Sequence, residues 1–207
     1  GYLHETLHAP IAMGRGVVEV QAHFKQVFGL DDEFTADGSQ FDRLLDDGDA
    51  LTVGSLTLRA LVTPGHTRDG LTYIIGDAAF IGDTLFAPDL GTARCDFPGG
   101  DAAQLYASIR RILALPETTR LFLCHDYPPE GRDAPVRETS IAAEAQGNAW
   151  IAGSDNEAFV AKRRARDVTL AVPRLLLPAL QVNIRGGRLP PAEADGRHYL
   201  RLPLNRL

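Results

Sequence analysis

A run of short strand-like segments between residues 51 and 81 limits the possible folds more than any other feature of the sequence. Residues 51–53 and 56–62 are apolar and β-branched, and a Gly-Ser turn separates them. Residues 72–75 and 79–81 are joined in the same way by a Gly-Asp turn. Strands in runs, with helices between the runs, favour two packed sheets with helices outside over a simple alternating β-α series.

Helical periodicity predicts helices on either side of this run. The clearest covers residues 101–113, where Asp101 and Gln104 resemble a capping box and the leucines and isoleucines that follow share one face. Further helices are predicted at residues 2–8, 17–28, 137–146 and 157–166, with short strands at 9–13, 121–124 and 197–204 and a polar connection at 31–49.

Length and composition limit the class of protein. A chain of 207 residues can bury one substantial core, so we expect a single domain over residues 1–207. A net charge of -6 argues against nucleic acid as a partner, because binding phosphates requires an excess of Lys and Arg. No apolar run reaches the ~20 residues of a membrane span. The sequence has only two cysteines, Cys95 and Cys124, which favours a reducing, cytoplasmic location.

Three stretches place a metal-binding side chain just after a predicted strand. They are Gly65-His66-Thr67, Gly82-Asp83-Thr84 and Cys124-His125-Asp126-Tyr127. Each is a weak signal alone, since a lone His is usually a hydrogen-bonded surface residue and a Gly-Asp pair is usually a turn. Together, with each at a strand end, they predict a metal site of imidazole and carboxylate ligands at one rim.

These motifs, in this order, resemble the second, third and fourth metal motifs of the metallo-β-lactamase fold. The tract PDLGTARCDFPGGD at residues 88–101 is similar to the one that marks persulfide dioxygenases, especially the bacterial branch associated with rhodanese domains. The resemblance implies an α/β, metallo-β-lactamase-like αββα sandwich. It also implies a persulfide dioxygenase that oxidises glutathione persulfide with O2 to sulfite and glutathione.

The resemblance further implies a set of functional residues. His66 and Asp83 would be ligands of one Fe(II) per chain, with Zn or Mn as substitutes, because His and carboxylate ligands accept all three metals. His125 would lie near the metal or in a second metal site. Substrate binding or support of the metal ligands would fall to Arg94, Asp96, Tyr127, Asn183 and Arg185. For Arg94 an internal salt bridge with Asp96 is an equal alternative.

The sequence departs from the family pattern at its beginning. The first metal motif, His-x-His-x-Asp-His, supplies the remaining iron ligand in the family and does not occur in these residues. We therefore expect an N-terminally incomplete domain that lacks the early strands. The pattern His4-Glu5-Thr6-Leu7-His8 matches that of zinc proteases, but it precedes Ala9-Pro10 at the edge of the chain, and we interpret it as a surface helix.

Two other functions compete with the dioxygenase. A glutathione thioester hydrolase similar to hydroxyacylglutathione hydrolase would use two metals and a bridging hydroxide. An inactive fragment of the fold would have a broken metal site. The predicted partners of the dioxygenase are glutathione persulfide and O2. A homodimer and a linked or separate rhodanese-like sulfurtransferase are compatible with the resemblance.

Overall fold

The central strands form one mixed six-stranded sheet. This computed structural model describes residues 1–204. The sheet order follows the chain, β3-β4-β5-β6-β7-β8, and only β6 and β7 are parallel neighbours. Its strands are β3 (Ala50–Val53), β4 (Leu56–Val62), β5 (Leu71–Ile75), β6 (Ala78–Phe80), β7 (Arg120–Phe122) and β8 (Glu138–Ser140). The two predicted strand pairs are confirmed.

Three helices pack with this sheet: α3 (Ala102–Leu113), α4 (Ile141–Gly147) and α5 (Asn156–Asp167). Helix α3 begins as predicted, because the side chain of Asp101 accepts the backbone N–H of Gln104 at 2.8 Å. The apolar face of α3 joins strand and helix residues in a buried core that includes Ala79, Ile81, Leu105, Ile109, Leu121 and Phe159. This core fixes the strand ends that carry the predicted metal ligands.

The chain divides into two units, which we describe separately. The central unit is Asp46–Leu170 and contains the six-stranded sheet. The terminal unit combines Gly1–Leu45 with the described residues from Ala171 onward. Its elements are α1 (Tyr2–Leu7), β1 (Ala12–Gly14), α2 (Val17–Val27), β2 (Arg43–Leu45) and α6 (Leu176–Asn183), with β1 and β2 paired in parallel.

Three secondary-structure predictions were wrong. Glu138–Ser140 begins the predicted helix 137–146 but is strand β8, because it pairs with β7 and leaves Ser140 to cap α4. Residues 31–49 contain β2, which forms only through its pairing with β1. Residues 197–204 contain no strand, apart from an isolated bridge between Ala192 and His198.

Helix α6 was missed because Pro178 interrupts its apolar tract. The proline is the third residue of the helix. An N–H group in the first turn has no partner within the helix, so proline is tolerated there. Across residues 1–204, none of the helices combines the length and the apolar character that crossing a membrane requires.

Candidate metal centre

Sheet topology brings the three predicted motifs to one edge of the central unit. Strands β4 and β5 are antiparallel, and so are β5 and β6, which means that β4 and β6 run in the same direction. Strand β7 is parallel to β6. The carboxyl ends of β4, β6 and β7 therefore face one edge, and the loops that follow them carry His66, Asp83 and His125.

The turn before His66 is held against helix α3. Gly65 has φ +132°, and a Cβ added there would lie 2.2 Å from the backbone nitrogen of Leu105. Only glycine can allow this close approach and this backbone conformation. The backbone carbonyl of Gly65 also accepts the N–H of Asp101 at 2.8 Å. Helix α3 thereby fixes the position of the backbone from which the His66 side chain extends.

One nitrogen of His66 is bonded to the backbone and the other faces Asp83. Nδ1 lies 2.8 Å from the carbonyl oxygen of Arg94, and Nε2 lies 3.4 Å from Oδ2 of Asp83. With Nδ1 donating its proton to this carbonyl, Nε2 keeps the lone pair that a metal requires. Phe97 contacts the ring edge-on, with ring centroids 5.5 Å apart.

Asp83 lies between two imidazoles and a thiol. Its Oδ1 is 3.4 Å from Nε2 of His125 and accepts a hydrogen bond of 2.6 Å from Sγ of Cys124. One ligand atom from each of these three residues lies within 4.8 Å of the other two. His66 and Asp83 are partly buried, whereas the side chain of His125 is 53% exposed.

Burial and hydrogen bonding have opposite effects on the pKa of His66 and on the pKa of Asp83. Burial is the largest influence on the pKa of His66 and lowers it, but the bonds to Asp83 and to the Arg94 carbonyl leave the pKa raised. For Asp83 burial raises the pKa, yet the bonds from His66 and Cys124 bring it below its ordinary value. Burial, followed by the bond to Asp83, raises the pKa of Cys124 to about 12, so the thiol keeps its proton.

Each imidazole lies at a distance from one oxygen of Asp83 that fits a shared metal ion, but the two imidazoles face different oxygens. Ligand bonds of about 2.1 Å at tetrahedral angles separate the donor atoms by about 3.4 Å. The distances from His66 Nε2 to Asp83 Oδ2 and from His125 Nε2 to Asp83 Oδ1 are both 3.4 Å. Neutral imidazole and carboxylate donors of this kind suit iron, zinc and manganese.

The predicted pair of Arg94 and Asp96 forms an internal salt bridge. The guanidinium donates through Nε and Nη2 to the two carboxylate oxygens, both at 2.6 Å, and lies over the ring of Phe97 at 4.8 Å. The side-chain bond from Arg94 lowers the pKa of Asp96. This pair stabilises the backbone whose carbonyl receives His66 Nδ1.

Tyr127 lies beside the site on a loop that is held by a second salt bridge. Its ring stacks on His125 at 5.8 Å and its side chain is 61% exposed, so the hydroxyl is accessible to a substrate. The preceding residue, Asp126, accepts two bonds from Arg132 at 2.6 and 2.7 Å. Arg132 also pairs with Asp89, which connects the loop after β7 to the loop after β6.

The remaining predicted residues belong to the terminal unit. Asn183 is the last residue of α6, and Arg185 follows two positions later. His4, from the protease-like pattern, lies near the backbone carbonyl of Ala9 at 3.0 Å and the carboxylate of Asp42 at 3.3 Å. His8 ends α1 with φ 53°. Among residues 1–204, the potential metal cluster contains neither of these histidines.

Sequence reasoning missed two contributors to this site. Cys124 contacts Asp83 directly, and the available signal was its place beside His125 at a strand end. Arg132 lies in an irregular polar loop, six residues after the carboxylate that it binds. No local pattern identifies such a partner, because the loop conformation that brings the two together depends on tertiary contacts.

Comparisons with known proteins agree with this geometry. Residues 1–125 match the family described as the metallo-beta-lactamase superfamily. A probable metallo-hydrolase of Burkholderia pseudomallei is 51% identical over the whole chain, which spans 74% of that protein. A beta-lactamase hydrolase-like protein of Agrobacterium fabrum is 52% identical, and the chain spans 47% of its length.

A solved structure provides a further comparison. The crystal structure of ETHE1 from Myxococcus xanthus superposes with a TM-score of 0.63 at 31% identity, covering 86% of this chain and 88% of that one. The expected fold class is thus confirmed by a family match and by a structural neighbour. On this evidence the chain belongs to the metallo-beta-lactamase superfamily, whose members bind metal ions.

Proposed function

We propose that the natural protein containing this chain oxidises glutathione persulfide with O2 and water to sulfite and glutathione, using one iron ion. The likeness to ETHE1, a persulfide dioxygenase, supports the reaction class. The tract at residues 88–101, which resembles that of persulfide dioxygenases, supports the same class, and its Arg94 carbonyl also orients His66. The chain spans about half of the Agrobacterium relative, so the activity is proposed for the whole natural protein.

The observation that carries the choice of one metal is the contact of Cys124 with Asp83. Oδ2 of Asp83 faces His66, whereas Oδ1 already accepts the thiol of Cys124 at 2.6 Å. A carboxylate that bridges two metals with one oxygen on each would have to offer Oδ1 to the second metal, and the thiol competes for that oxygen. While this hydrogen bond is kept, Oδ1 is occupied by the thiol, which favours a single metal on the His66 side.

The residues of this chain would have separate roles in the proposed reaction. His66 and Asp83 would hold the iron, together with a histidine of the His-x-His-x-Asp-His motif that the family resemblance adds. Iron in such a site supplies open positions at which persulfide sulfur and O2 can bind side by side. The Arg94 carbonyl orients His66, and the exposed hydroxyl of Tyr127 can donate a hydrogen bond to the glutathione portion. A cytoplasmic location, a homodimer and a rhodanese partner stay predictions from the sequence.

A thioester hydrolase with two metals is the second candidate. One specific observation favours it: His125 Nε2 faces Oδ1 of Asp83 at the distance expected between ligands of one ion. The Burkholderia relative is also named a probable metallo-hydrolase. In that case Cys124 would have to turn away from Asp83 when the second ion binds.

The test measures oxygen and metal together. Full-length natural protein is loaded anaerobically with Fe(II), and O2 consumption is followed with glutathione persulfide. We expect one iron per chain and activity that His66→Ala and Asp83→Ala each abolish, while His4→Ala, a control far from β4 and β6 in the sequence, retains it. Two ions per chain with hydrolysis of a glutathione thioester, and no oxygen uptake, would establish the hydrolase instead.

Replacing Cys124 separates the two candidates further. Cys124→Ala frees Oδ1 of Asp83, so we expect zinc titration to show up to two ions per chain in the variant and one in the unmodified protein. The matched control is Cys95→Ala, since Cys95 is buried and binds Asp167 through its backbone N–H. Two zinc ions in the unmodified protein would contradict the role given to Cys124.

A further inference from the structure

The terminal unit contains a buried cation, Arg185, with one nitrogen that no described residue satisfies. Arg185 is 9% exposed, and its Nη1 has no hydrogen-bond acceptor among residues 1–204. The guanidinium lies over the ring of Phe34 at 4.6 Å, a contact that uses its face and not the N–H groups at its edge. Buried polar groups are hydrogen-bonded in the great majority of cases, so this one calls for a missing acceptor.

Arg185 cannot become neutral by losing a proton. Burial lowers the pKa of Arg185, with attraction from Asp31 and repulsion from Arg201 as smaller influences that oppose each other. A guanidinium nevertheless stays charged in proteins, because its ordinary pKa lies so far above neutrality. An anion that approaches this guanidinium would therefore add to the stabilisation that Phe34 and Asp31 already give.

Arg185 lines a cavity that could admit such an anion. The cavity has a volume of about 300 Å3 and lies entirely within the terminal unit. This volume is at the lower end of the range for small-molecule sites. Its apolar wall is formed by Leu30, Phe34, Leu189, Pro190 and Pro191.

Other polar groups around the cavity already have partners. Arg201 donates to the carbonyl of Gly29, and Arg188 donates to the carbonyl of Gln40 at 3.0 Å. The Tyr199 hydroxyl donates to Asp195 at 2.5 Å. Arg185 is thus the group on the cavity wall whose known contacts leave a buried donor unsatisfied.

The other charges of the wall limit the kind of anion. Asp31, Glu33 and Glu193 also line the cavity, and their carboxylates repel a multiply charged ligand such as phosphate. A single carboxylate matches the planar guanidinium and adds only one negative charge. We propose that this cavity binds a small apolar monocarboxylate, with its carboxylate on Arg185 and its hydrocarbon part against Phe34 and Leu189.

Calorimetric titration of the full chain tests the site with 4-methylpentanoate. We expect saturable binding that weakens on the order of tenfold to hundredfold in Arg185→Met, the loss expected for hydrogen bonds to a charged group. Arg174→Met is the matched control, since Arg174 is exposed in the same unit and outside the cavity, and binding should be unchanged. Isoamylamine, which has a similar hydrocarbon part but no carboxylate, should not bind.

Several results would overturn the proposal. They are the absence of saturable binding, equal binding by Arg185→Met, and inorganic phosphate binding more tightly than the carboxylate. If Arg185→Met does not fold, nuclear Overhauser effects on the unmodified chain decide instead. Contacts between the ligand methyl groups and the Phe34 ring are expected, and saturable binding without them would place the ligand elsewhere.

Discussion

The central and terminal units each contain a buried charge with an unsatisfied atom, and they differ in how it can be satisfied. In the central unit, Glu144 is fully buried, with Oε2 accepting from Asn148 at 2.8 Å and Oε1 without a hydrogen-bond donor among residues 1–204. In the terminal unit, Arg185 has the same defect at Nη1. Burial raises the pKa of Glu144 to about 7, so this carboxyl group can take up a proton near neutral pH.

An unsatisfied buried charge therefore has different consequences for a glutamate and for an arginine. A carboxyl group can become neutral and so requires nothing from outside the chain. A guanidinium keeps its charge, so its unsatisfied N–H group still needs an acceptor. We therefore regard Glu144 as a source of pH-dependent stability and Arg185 as part of a binding site.

The largest expected effect comes from a buried arginine that does have its partner. Arg163 is 3% exposed and pairs with Asp167 at 2.7 Å. We expect Arg163→Met to lower the free energy of unfolding by about 3–5 kcal/mol, because Asp167 would be left buried and unpaired. Urea denaturation measures this, with the exposed neighbour Arg164→Met as a control that should stay within about 0.5 kcal/mol. A loss equal to that of the control would break the distinction between paired and unpaired buried arginines.

The second prediction concerns pH and Glu144. Burial raises the pKa of Glu144 to about 7 in the folded chain, against an ordinary value of 4.5. Because the folded state keeps a proton that the unfolded state has lost, the stabilising contribution is complete below pH 4.5 and disappears as the pH rises through about 7. The total change is about 3 kcal/mol. Glu144→Gln should flatten this part of the profile in urea denaturation at several pH values, while an unchanged slope would assign it to other groups.

A smaller effect is expected at the salt bridge beside the metal centre. Arg132 pairs with Asp126, whose side chain is 6% exposed, whereas Arg120 pairs with Asp77, which is 69% exposed. We expect Arg132→Met to lower the temperature of thermal denaturation more than Arg120→Met does, because solvent screens the exposed pair. Equal thermal stabilities for the two variants would show that the Asp126 bridge does not hold the loop after His125.

The sequence predicted the metal edge better than it predicted the terminal unit, for a physical reason. Alternating apolar residues and Gly-containing turns determine β3 to β6 locally, so the strand ends that carry His66 and Asp83 could be located. Strand β2 depends on pairing with β1 across a long connection, and β8 depends on β7. The isolation of Arg185 is a property of three-dimensional packing, and its sequence neighbours contain no sign of it.

The smallest predicted change in stability is also the one that most sharpens the comparison. Arg185→Met removes a buried charge that has no ion-pair partner within residues 1–204, so without ligand the free energy of unfolding should change by no more than about 1 kcal/mol, in either direction. Thermal denaturation with increasing 4-methylpentanoate then separates binding from packing. The ligand should stabilise the unmodified chain as its concentration rises and leave the variant unaffected, because only a ligand that binds the folded state stabilises it. A large loss in the ligand-free variant would mean that Arg185 supports the fold through its contact with Phe34, and its isolated Nη1 would then be no guide to a binding site.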